Sequence, residues 1–345
     1  MDSVRWGVLG NSTIGRKCML PAIRKSTNGT IWALASLHPE DAREVVQDNQ
    51  IEHLYGDYDR IIEDPEIDAV YIPLPNHLHR PWALKALNGG KHVLCEKPLA
   101  CTAAEAQEMT AAARSNNRLL MEGLMYRFHP RSRKVKEMIA AGAIGVPRLI
   151  RAAFCFAMAP SLLESGDNYR LKSQAGAGAL MDVGCYGVSV ARWLFDAEPV
   201  AVQAQAIYQK ETGVDIQVVG SLRFDNDCLA SFEAGFCAGL QQTYTIIGSK
   251  GAIELPHDAF IPWEKEAMIE HRTKDQEVGE MITIPGSDEY LLMVEHFAGA
   301  ILQGREPAVS PDDSINNLVV LDALAESARS GFTVFLNTEQ TFSLL

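Results

Sequence analysis

Two opposite charges, Glu96 and Lys97, directly follow the apolar run His92–Cys95, and Pro98 comes next. The segment Thr102–Glu105 has the pattern of a capping box that begins a helix, so the charged pair lies in a strand-to-helix loop. In parallel α/β sheets such loops lie at the carboxyl edge, where these folds bind ligands. Lys97 is therefore a candidate catalytic cation, and Glu96 is its candidate orienting partner.

A second pair that could carry chemistry is Asp182 and Tyr186, which are four residues apart and so share one face of a helix. A free tyrosine has a pKa of about 10, too high for an efficient base at neutral pH. A nearby ammonium group would favour the phenolate and lower that pKa. Structural alternatives remain: a helical tyrosine is often a core residue, and an aspartate near a helix start is often a cap.

The segment "GNSTIG" follows the first apolar run and has the spacing of Gly-x-Gly-x-x-Gly, with Ser12 in place of the second glycine. In a dinucleotide-binding turn, backbone N–H groups at the start of a helix face the diphosphate. A plain strand-to-helix turn is the alternative. The predicted diphosphate-binding residues are Gly10, Ser12, Thr13, Ile14 and Gly15.

The end of the second predicted strand bears on the choice of cofactor. NAD-binding domains usually place Asp or Glu there to bind the ribose 2′-hydroxyl. This chain has Ser36 and Leu37 instead, with Arg43 in the following helix. Because no carboxylate at this position would repel a 2′-phosphate, the sequence favours NADP(H) over NAD(H).

Proline residues interrupt the next strand at "PLPNHLH", where Asn76 could donate a hydrogen bond to a ligand at the sheet edge. The alternative is a simple turn that leads into a helix. The predicted cofactor contacts from this segment and the next loop are Pro73, Leu74, Asn76, His79, Glu96 and Lys97.

Apolar runs that alternate with helical segments would position these residues. Strand-like runs lie at residues 4–9, 30–37, 68–74, 91–96 and 118–123. Apolar runs separated by helices indicate right-handed βαβ units and a doubly wound parallel sheet. We therefore predict an α/β Rossmann domain over residues 1–124.

The rest of the chain has several long strand-like runs with no helix between them, which indicates an open, mostly antiparallel sheet. Helical patterns at residues 178–195, 289–304 and 312–331 would cover one face of this sheet. We predict an α+β substrate-binding domain over residues 125–345. Because monomers rarely expose large apolar sheets, its other face predicts a homodimer or higher homo-oligomer.

Composition excludes several classes of protein. The net charge of −13, with no basic tract, argues against nucleic acid and anionic membranes as partners. The seven scattered cysteines form no Cys-x-x-Cys pair, and His77 and His79 lack other ligands at metal spacing, so no metal site is predicted. The N-terminal sequence has no basic segment followed by an apolar one, which predicts a cytoplasmic protein.

Taken together, "GNSTIG", "PLPNHLH", "GKHVLCEKPLA", "EGLMYRFHP", "DNYRL" and "GALMDVGCYGVSVARWL" resemble the Gfo/Idh/MocA oxidoreductase family. The resemblance is to its branch with glucose–fructose oxidoreductase, dimeric dihydrodiol dehydrogenase and NADP-dependent xylose dehydrogenase. It implies a catalytic lysine at Lys97, a catalytic acid or base at Tyr186 and a substrate contact at Asp182. The matching segments also suggest that Arg127, His129 and Arg170 line the substrate pocket.

This resemblance predicts a nicotinamide-dependent dehydrogenase or reductase that acts on a sugar, polyol or related compound. Two alternatives stay open: a glycosidase that uses transient oxidation by bound NAD, and a nucleotide-sensing regulator without catalysis. Pro98 would fix the exit of the lysine loop, and a cis Lys97–Pro98 bond is one way to do so.

Overall fold

The computed structural model describes residues 3–336 except residues 174, 175 and 277. The described chain packs as two compact units. Unit 1 contains the residues up to Phe128 together with Asp288–Ile315. Unit 2 contains His129–Ser287 and the residues from Asn316 onward.

Unit 1 is built on a parallel sheet of six strands in the order β3-β2-β1-β4-β5-β6. The strands are β1 (Val4–Leu9), β2 (Gly29–Ala35), β3 (His53–Tyr55), β4 (Ala69–Ile72), β5 (His92–Cys95) and β6 (Leu120–Glu122). Strand β4 is buried on both faces, as expected when helices cover both sides of a parallel sheet. The predicted doubly wound sheet is confirmed, with β3 as a strand that the sequence did not reveal.

Helices connect these strands, and the glycine-rich turn leads into the first of them. The helical segments are a π-helical turn (Gly15–Met19), α1 (Leu20–Lys25), α2 (Pro39–Asp48), α3 (Asp59–Glu63), a 3₁₀ turn (Asn76–Leu78), α4 (His79–Asn88), α5 (Ala103–Ser115) and a 3₁₀ turn (Met125–Phe128). Thr102 caps α5 by accepting the backbone N–H of Glu105, which confirms the expected helix start.

A later helix, α9 (Glu289–Gln303), also packs in unit 1. The Glu295 side chain accepts the backbone N–H of Thr27 at 2.9 Å, and the Phe297 ring lies 5.9 Å from the Trp6 ring. The sequence assigns this helix to the second domain, since it follows that domain's strands. The chain instead returns to complete unit 1, because the apolar face of α9 packs against α1, β1 and β2.

Unit 2 contains a sheet of nine strands in the order β14-β13-β12-β11-β7-β10-β9-β8-β15. The strands are β7 (Pro147–Ala157), β8 (Pro199–Tyr208), β9 (Asp215–Phe224), β10 (Leu229–Gly235), β11 (Cys237–Gly248), β12 (Gly251–Leu255), β13 (Ala267–Thr273), β14 (Glu280–Ile284) and β15 (Val334–Phe335). Every pairing is antiparallel except that of β7 with β10. The predicted open and mostly antiparallel sheet is confirmed.

The helical segments of unit 2 are α6 (Pro130–Ala140), α7 (Pro160–Ser165), a 3₁₀ turn (Tyr169–Leu171), a π-helical turn (Leu180–Gly184) and α8 (Cys185–Phe195). The last helix, α10 (Pro311–Ser330), has its first residues in unit 1 and the remainder in unit 2. Within the described part of the chain, no helix combines the length and apolar character that a bilayer crossing requires.

One face of the nine-stranded sheet is exposed, and it is less apolar than the sequence suggests. Along β9, Val219, Ser221 and Arg223 are exposed while the residues between them are buried. On β8 the exposed side chains include Gln203, Gln205 and Ile207. The alternation gives a face on which isolated apolar side chains are set among polar ones.

Candidate active site

The predicted cofactor residues of unit 1 follow strands that end in register. Leu9 pairs with Ala35, and Ile72 pairs with Cys95, which pairs in turn with Glu122. The residues that follow these strands therefore meet at one carboxyl edge of the sheet. They are Gly10, Ser36, Pro73, Glu96 and Gly123.

The glycine-rich turn is closely packed at both of its glycines, and Gly10 has a positive φ. Gly10 has φ +90°, and a Cβ on it would lie 3.0 Å from Leu74 Cδ2. A Cβ on Gly15 would lie 3.0 Å from Ser12 Oγ, which accepts the backbone N–H of Gly15 at 3.0 Å. Ser12 therefore holds the start of the helix, while its own proton can point outward. Thr13 is exposed and Ile14 is half-buried.

The turn also offers an unsatisfied polar atom. Asn11 donates from Nδ2 to the carbonyl of Asp41 at 3.0 Å. Its Oδ1 is buried and has no hydrogen-bond partner among the described residues. A helix start also leaves backbone N–H groups without intrahelical acceptors. A bound dinucleotide would supply groups of both kinds, namely diphosphate oxygens for the N–H groups and ribose hydroxyls for Oδ1, so these residues fit a nicotinamide dinucleotide.

Ser36 follows the end of β2, and its hydroxyl forms local hydrogen bonds. Ser36 is 5% exposed, and its hydroxyl donates to the His38 carbonyl at 3.0 Å and accepts the His38 N–H at 3.2 Å. The hydroxyl is therefore used within a local turn, and Leu37 beside it is 61% exposed. No carboxylate occupies the strand end, but Glu40 and Asp41 begin α2.

His79 joins the loops that follow β4 and β5. Its Nδ1 lies 2.9 Å from the Pro98 carbonyl oxygen, and its Nε2 lies 2.7 Å from that of Leu74. Burial lowers the pKa of His79 to about 4, so the ring is neutral and donates to only one of these carbonyls at a time. Each ring nitrogen lies against a carbonyl oxygen of the protein, so His79 bridges the two loops at the carboxyl edge of the sheet. Pro73 is buried, and Asn76 in the same segment is half-buried.

The Lys97 loop is fixed by its neighbours. Glu96 accepts the Tyr71 hydroxyl at 2.6 Å and the backbone N–H of Lys97 at 3.3 Å. Burial and, after it, the charge of Glu96 raise the pKa of Tyr71 well above its ordinary value, so this tyrosine remains a donor. The Lys97–Pro98 peptide bond is cis, as the sequence suggests, and Lys97 itself is half-buried.

Glu122, the last residue of β6, also contacts this loop and was not predicted. It is 1% exposed, and its Oε1 accepts the backbone N–H of Leu99 at 3.0 Å. The only sequence signal is a carboxylate that ends an otherwise apolar strand, which is the pattern that identified Glu96.

Arg127 and His129 lie in different units. In unit 1 the Arg127 side chain is 7% exposed and pairs with Asp313 at 2.5 Å. In unit 2 His129 is the N-cap of α6, since its Nδ1 accepts the backbone N–H of Arg131 at 3.0 Å. Burial lowers the pKa of His129 to about 4, so it is neutral at physiological pH. Its Nε2 is buried without a partner among the described residues and must carry the proton as a donor.

In unit 2 the structure brings Asp182 and Arg170 together. Arg170 Nε donates to Asp182 Oδ2 at 2.6 Å, and its guanidinium lies 4.5 Å from the Tyr169 ring centre and 5.7 Å from that of Phe156. This pair lies at the π-helical turn Leu180–Gly184, a type of segment that is frequent at functional sites. Asp182 is thus a half-buried carboxylate held in one orientation.

The N-terminus of the helix that carries Tyr186 is capped by Asp215, another residue that the sequence did not reveal. Asp215 Oδ2 accepts the backbone N–H of Leu180 at 2.7 Å, and burial raises the pKa of this carboxyl. A Cβ on Gly178, which has φ +124°, would lie 2.1 Å from Asp215 Oδ1. Gly178, the second glycine of "GAGAL", is therefore required for this cap.

Tyr186 is 2% exposed and lies in an aromatic cluster. Its ring centre is 5.2 Å from that of Phe154 and 5.1 Å from that of Phe260. Gly187 allows this helix to approach β10 closely, since a Cβ there would lie 2.7 Å from Phe232 Cβ. The ring of Tyr186 is therefore immobilised by apolar packing.

Family models match most of both units. The oxidoreductase family model with an NAD-binding Rossmann fold matches residues 4–124, and the GFO/IDH/MocA C-terminal domain model matches residues 132–254.

Individual proteins with sugar-related activities are similar over nearly the whole chain. The D-xylose 1-dehydrogenase (NADP(+)) 2 of Haloferax volcanii is 34% identical over 332 residues, which covers 96% of this chain and 99% of that protein. A 3-ketoreductase from Actinomadura kijaniata, solved with NADP and TDP-benzene, superimposes with a TM-score of 0.88 at 28% identity, covering 94% of this chain and 98% of that one. The aldose–aldose oxidoreductase of Caulobacter crescentus, solved with glycerol, gives a TM-score of 0.87 at 28% identity, covering 97% and 100% of the two chains.

Proposed function

This chain belongs to the GFO/IDH/MocA oxidoreductase family, and on that premise we propose that it transfers hydride to or from a carbon of a sugar, polyol or related compound. It is an oxidoreductase with an NAD(P)-binding Rossmann domain. The observation that carries the proposal is the shared carboxyl edge in unit 1. There the Gly10–Gly15 turn and the Lys97 loop follow strands that end in register.

The chemical class of the substrate is supported by the similar proteins. They include a xylose dehydrogenase, a reductase of a nucleotide-linked keto sugar and an aldose–aldose oxidoreductase. Their shared substrate feature is a carbohydrate carbon that is oxidised or reduced between hydroxyl and carbonyl. We extend that class, and no individual sugar, to this chain.

A bound nicotinamide would accept or supply the hydride, and the protein must manage the proton on the substrate oxygen. We assign Lys97 to that oxygen, where its ammonium group would stabilise developing negative charge. Glu96 supports this role, since it accepts the Lys97 backbone N–H and the Tyr71 hydroxyl. These two hydrogen bonds hold the backbone at Glu96 and Lys97, so the lysine side chain extends from a fixed position.

We assign Tyr186 as the acid or base that exchanges the substrate proton, assisted by the charge of Lys97. Its packing between Phe154 and Phe260 supports the assignment, since a proton-transfer group needs a fixed position. The Asp182–Arg170 pair would bind substrate hydroxyls, with the carboxylate as acceptor and the guanidinium as donor. The protonated Nε2 of His129 would supply one more donor.

We propose NADP(H) as the preferred cofactor, because no carboxylate follows β2 and the Ser36 hydroxyl is used in its own turn. We also propose a homo-oligomer through the exposed face of the nine-stranded sheet, on which Ile207, Val219 and Leu229 are more than half exposed. Sedimentation at micromolar concentration tests this assembly. A monomer there would contradict it.

The experiment that tests the function is a screen of aldoses, polyols and keto sugars with each cofactor, followed by nicotinamide absorbance. We expect turnover with at least one compound, tighter binding of NADP(H) in a fluorescence titration and a turnover by Lys97→Met that is about 10²–10⁴-fold lower. Cofactor binding without turnover of any of these compounds would contradict the proposal. Release of nitrophenol from nitrophenyl glycosides without net nicotinamide change would indicate a glycosidase instead.

A further inference from the structure

The peptide group between Pro98 and Leu99 has a buried side chain within hydrogen-bonding distance of each of its polar atoms. Its carbonyl oxygen lies 2.9 Å from His79 Nδ1, and its N–H donates to Glu122 Oε1 at 3.0 Å. His79 begins α4 and Glu122 ends β6, so two different elements fix one peptide plane. This plane is the first one after the Lys97–Pro98 bond, and its orientation sets that of the lysine loop.

The two side chains differ in what they can do. His79 is buried and neutral, so its hydrogen bond is the same throughout the physiological pH range. Glu122 is buried too, but its Oε2 has no hydrogen-bond partner of normal geometry in the described part of the chain. A buried carboxylate with a hydrogen bond of normal geometry at one oxygen only is poorly compensated as an anion.

The groups around Glu122 shift its pKa in opposite directions. Burial is the largest effect and raises its pKa to about 7, and the charge of Asp313 raises it as well. The Ser314 hydroxyl, the Leu99 N–H and the charge of Arg127 lower it. The neighbouring Cys95 thiol stays protonated, because burial and the charges of Glu96 and Glu122 raise its pKa well above the ordinary value. Of Glu122 and Cys95, Glu122 is therefore the group that changes charge near neutrality.

We propose that Glu122 is a positioning residue for Lys97, and that its ionisation strengthens the grip on the Pro98–Leu99 peptide. The carboxylate accepts the Leu99 N–H in a charge-assisted hydrogen bond, which is shorter and stronger than the bond to the neutral acid. Below neutrality the neutral acid holds the loop more loosely. We call the contacts of His79 and Glu122 with the Pro98–Leu99 peptide the clamp. The functional part of this inference rests on the proposed role of Lys97, whereas the titration of the clamp does not.

The first test reads the clamp directly and needs no substrate. Selective ¹⁵N-leucine labelling, with Leu99→Met to identify the signal, gives the amide shift of Leu99 as a function of pH. We expect this shift to titrate with a midpoint near neutrality in the wild type and to be constant in Glu122→Gln, whose amide oxygen still accepts the N–H. Exposed Glu63→Gln is the matched control for loss of one carboxylate and should titrate like the wild type. A Leu99 shift that is flat in the wild type, or that still titrates in Glu122→Gln, overturns the proposal.

The second test reads turnover. Between pH 6 and 8, roughly one unit on each side of the clamp's midpoint, kcat of Glu122→Gln should rise less than kcat of the wild type and of Glu63→Gln, because any rise from ionisation of Tyr186 is common to all three. At the upper end Glu122→Gln should turn over about tenfold more slowly, with the KM for cofactor unchanged. Glu122→Met, which loses the acceptor, should be slower than Glu122→Gln at every pH. Equal kcat profiles for wild type and Glu122→Gln overturn the positioning role while leaving the proposed function intact. If no substrate turns over, the proposed function fails, and the amide titration still decides the clamp.

Discussion

The Lys97 loop in unit 1 and the Tyr186 helix in unit 2 hold their candidate catalytic groups by different physical means. Polar side chains hold the loop: Glu96, His79 and Glu122 bind its backbone groups. Ring packing holds Tyr186, with Phe154 and Phe260 against its side chain. Hydrogen bonds to ionisable groups respond to pH, whereas apolar packing responds to volume. The two regions should therefore fail under different perturbations.

The largest expected effect comes from substitutions that remove the candidate reacting groups themselves. Lys97→Met and Tyr186→Phe should each cut turnover by about 10²–10⁴-fold, the range for lost acid–base catalysis. The double variant should be little slower than either single one, because groups that act as a unit are not additive. Steady-state kinetics with the screened substrate measures all three, with exposed Lys134→Met as a control that should match the wild type. Near wild-type turnover in Tyr186→Phe would leave the tyrosine as a core residue only.

A change of volume should affect the tyrosine region and leave the lysine loop intact. Phe260 is fully buried, so Phe260→Ala should lower the free energy of unfolding by about 3–5 kcal/mol. Turnover should fall as the Tyr186 ring loses its support, while cofactor affinity should stay unchanged. Phe332→Ala is the matched control, because Phe332 is 76% exposed and its loss should cost almost nothing. Denaturant unfolding checks both, and equal stability losses would contradict the packing argument.

A change of pH should affect the support of the lysine loop and leave the apolar packing around Tyr186 intact. The pKa of Glu122 is raised from 4.5 to about 7, so ionisation is costly in the folded state. The group destabilises the fold progressively as pH rises from the unfolded to the folded pKa, by about 3 kcal/mol in total, and not at all below the unfolded pKa. Relative to Glu122→Gln, the wild type should therefore lose stability across this window. Unfolding at a series of pH values measures the difference, and a constant difference would show that Glu122 keeps an ordinary pKa.

The smallest effect concerns the cofactor edge of unit 1. Ser36→Asp places a carboxylate where NAD-binding domains usually have one, and it can still accept the His38 N–H that Ser36 accepts. We expect the ratio of NADP(H) to NAD(H) affinity to fall about tenfold, which corresponds to roughly 1.4 kcal/mol. Ser36→Ala separates the added charge from the lost hydroxyl. An unchanged ratio in Ser36→Asp would place cofactor discrimination elsewhere.

The sequence predicts the candidate functional residues of unit 1 better than it predicts the side chains that hold the Lys97 loop in place. Gly10, Glu96 and Lys97 stand at the ends of strands with clear apolar runs, and strand ends meet at one edge in any parallel sheet. Glu122 and His79 act through backbone groups of Pro98 and Leu99, which carry no side-chain pattern that a sequence could display. Their roles depend on which strands are neighbours, and only the structure gives that order.

The elements that were missed share a physical cause. Strand β3, His53–Tyr55, is short and half-buried, so it has no apolar run. Strands β13 and β14 carry polar and charged residues among their apolar ones, as strands with an exposed face do. Helix α9 was recognised as a helix, but its membership of unit 1 follows from contacts with Trp6 and Thr27 that lie far away in sequence.

That return of α9 has a consequence for the order of events during synthesis. Trp6 is fully buried beneath Phe297, and Thr27 and Asn28 donate to Glu295, so unit 1 lacks these contacts until the ribosome has made α9. The 159 residues His129–Ser287 separate the two segments of unit 1. At elongation rates of about 5–20 residues per second this is a delay of roughly 8–32 s. Throughout that time the nascent chain carries an uncovered apolar patch around Trp6, which is a surface that chaperones recognise.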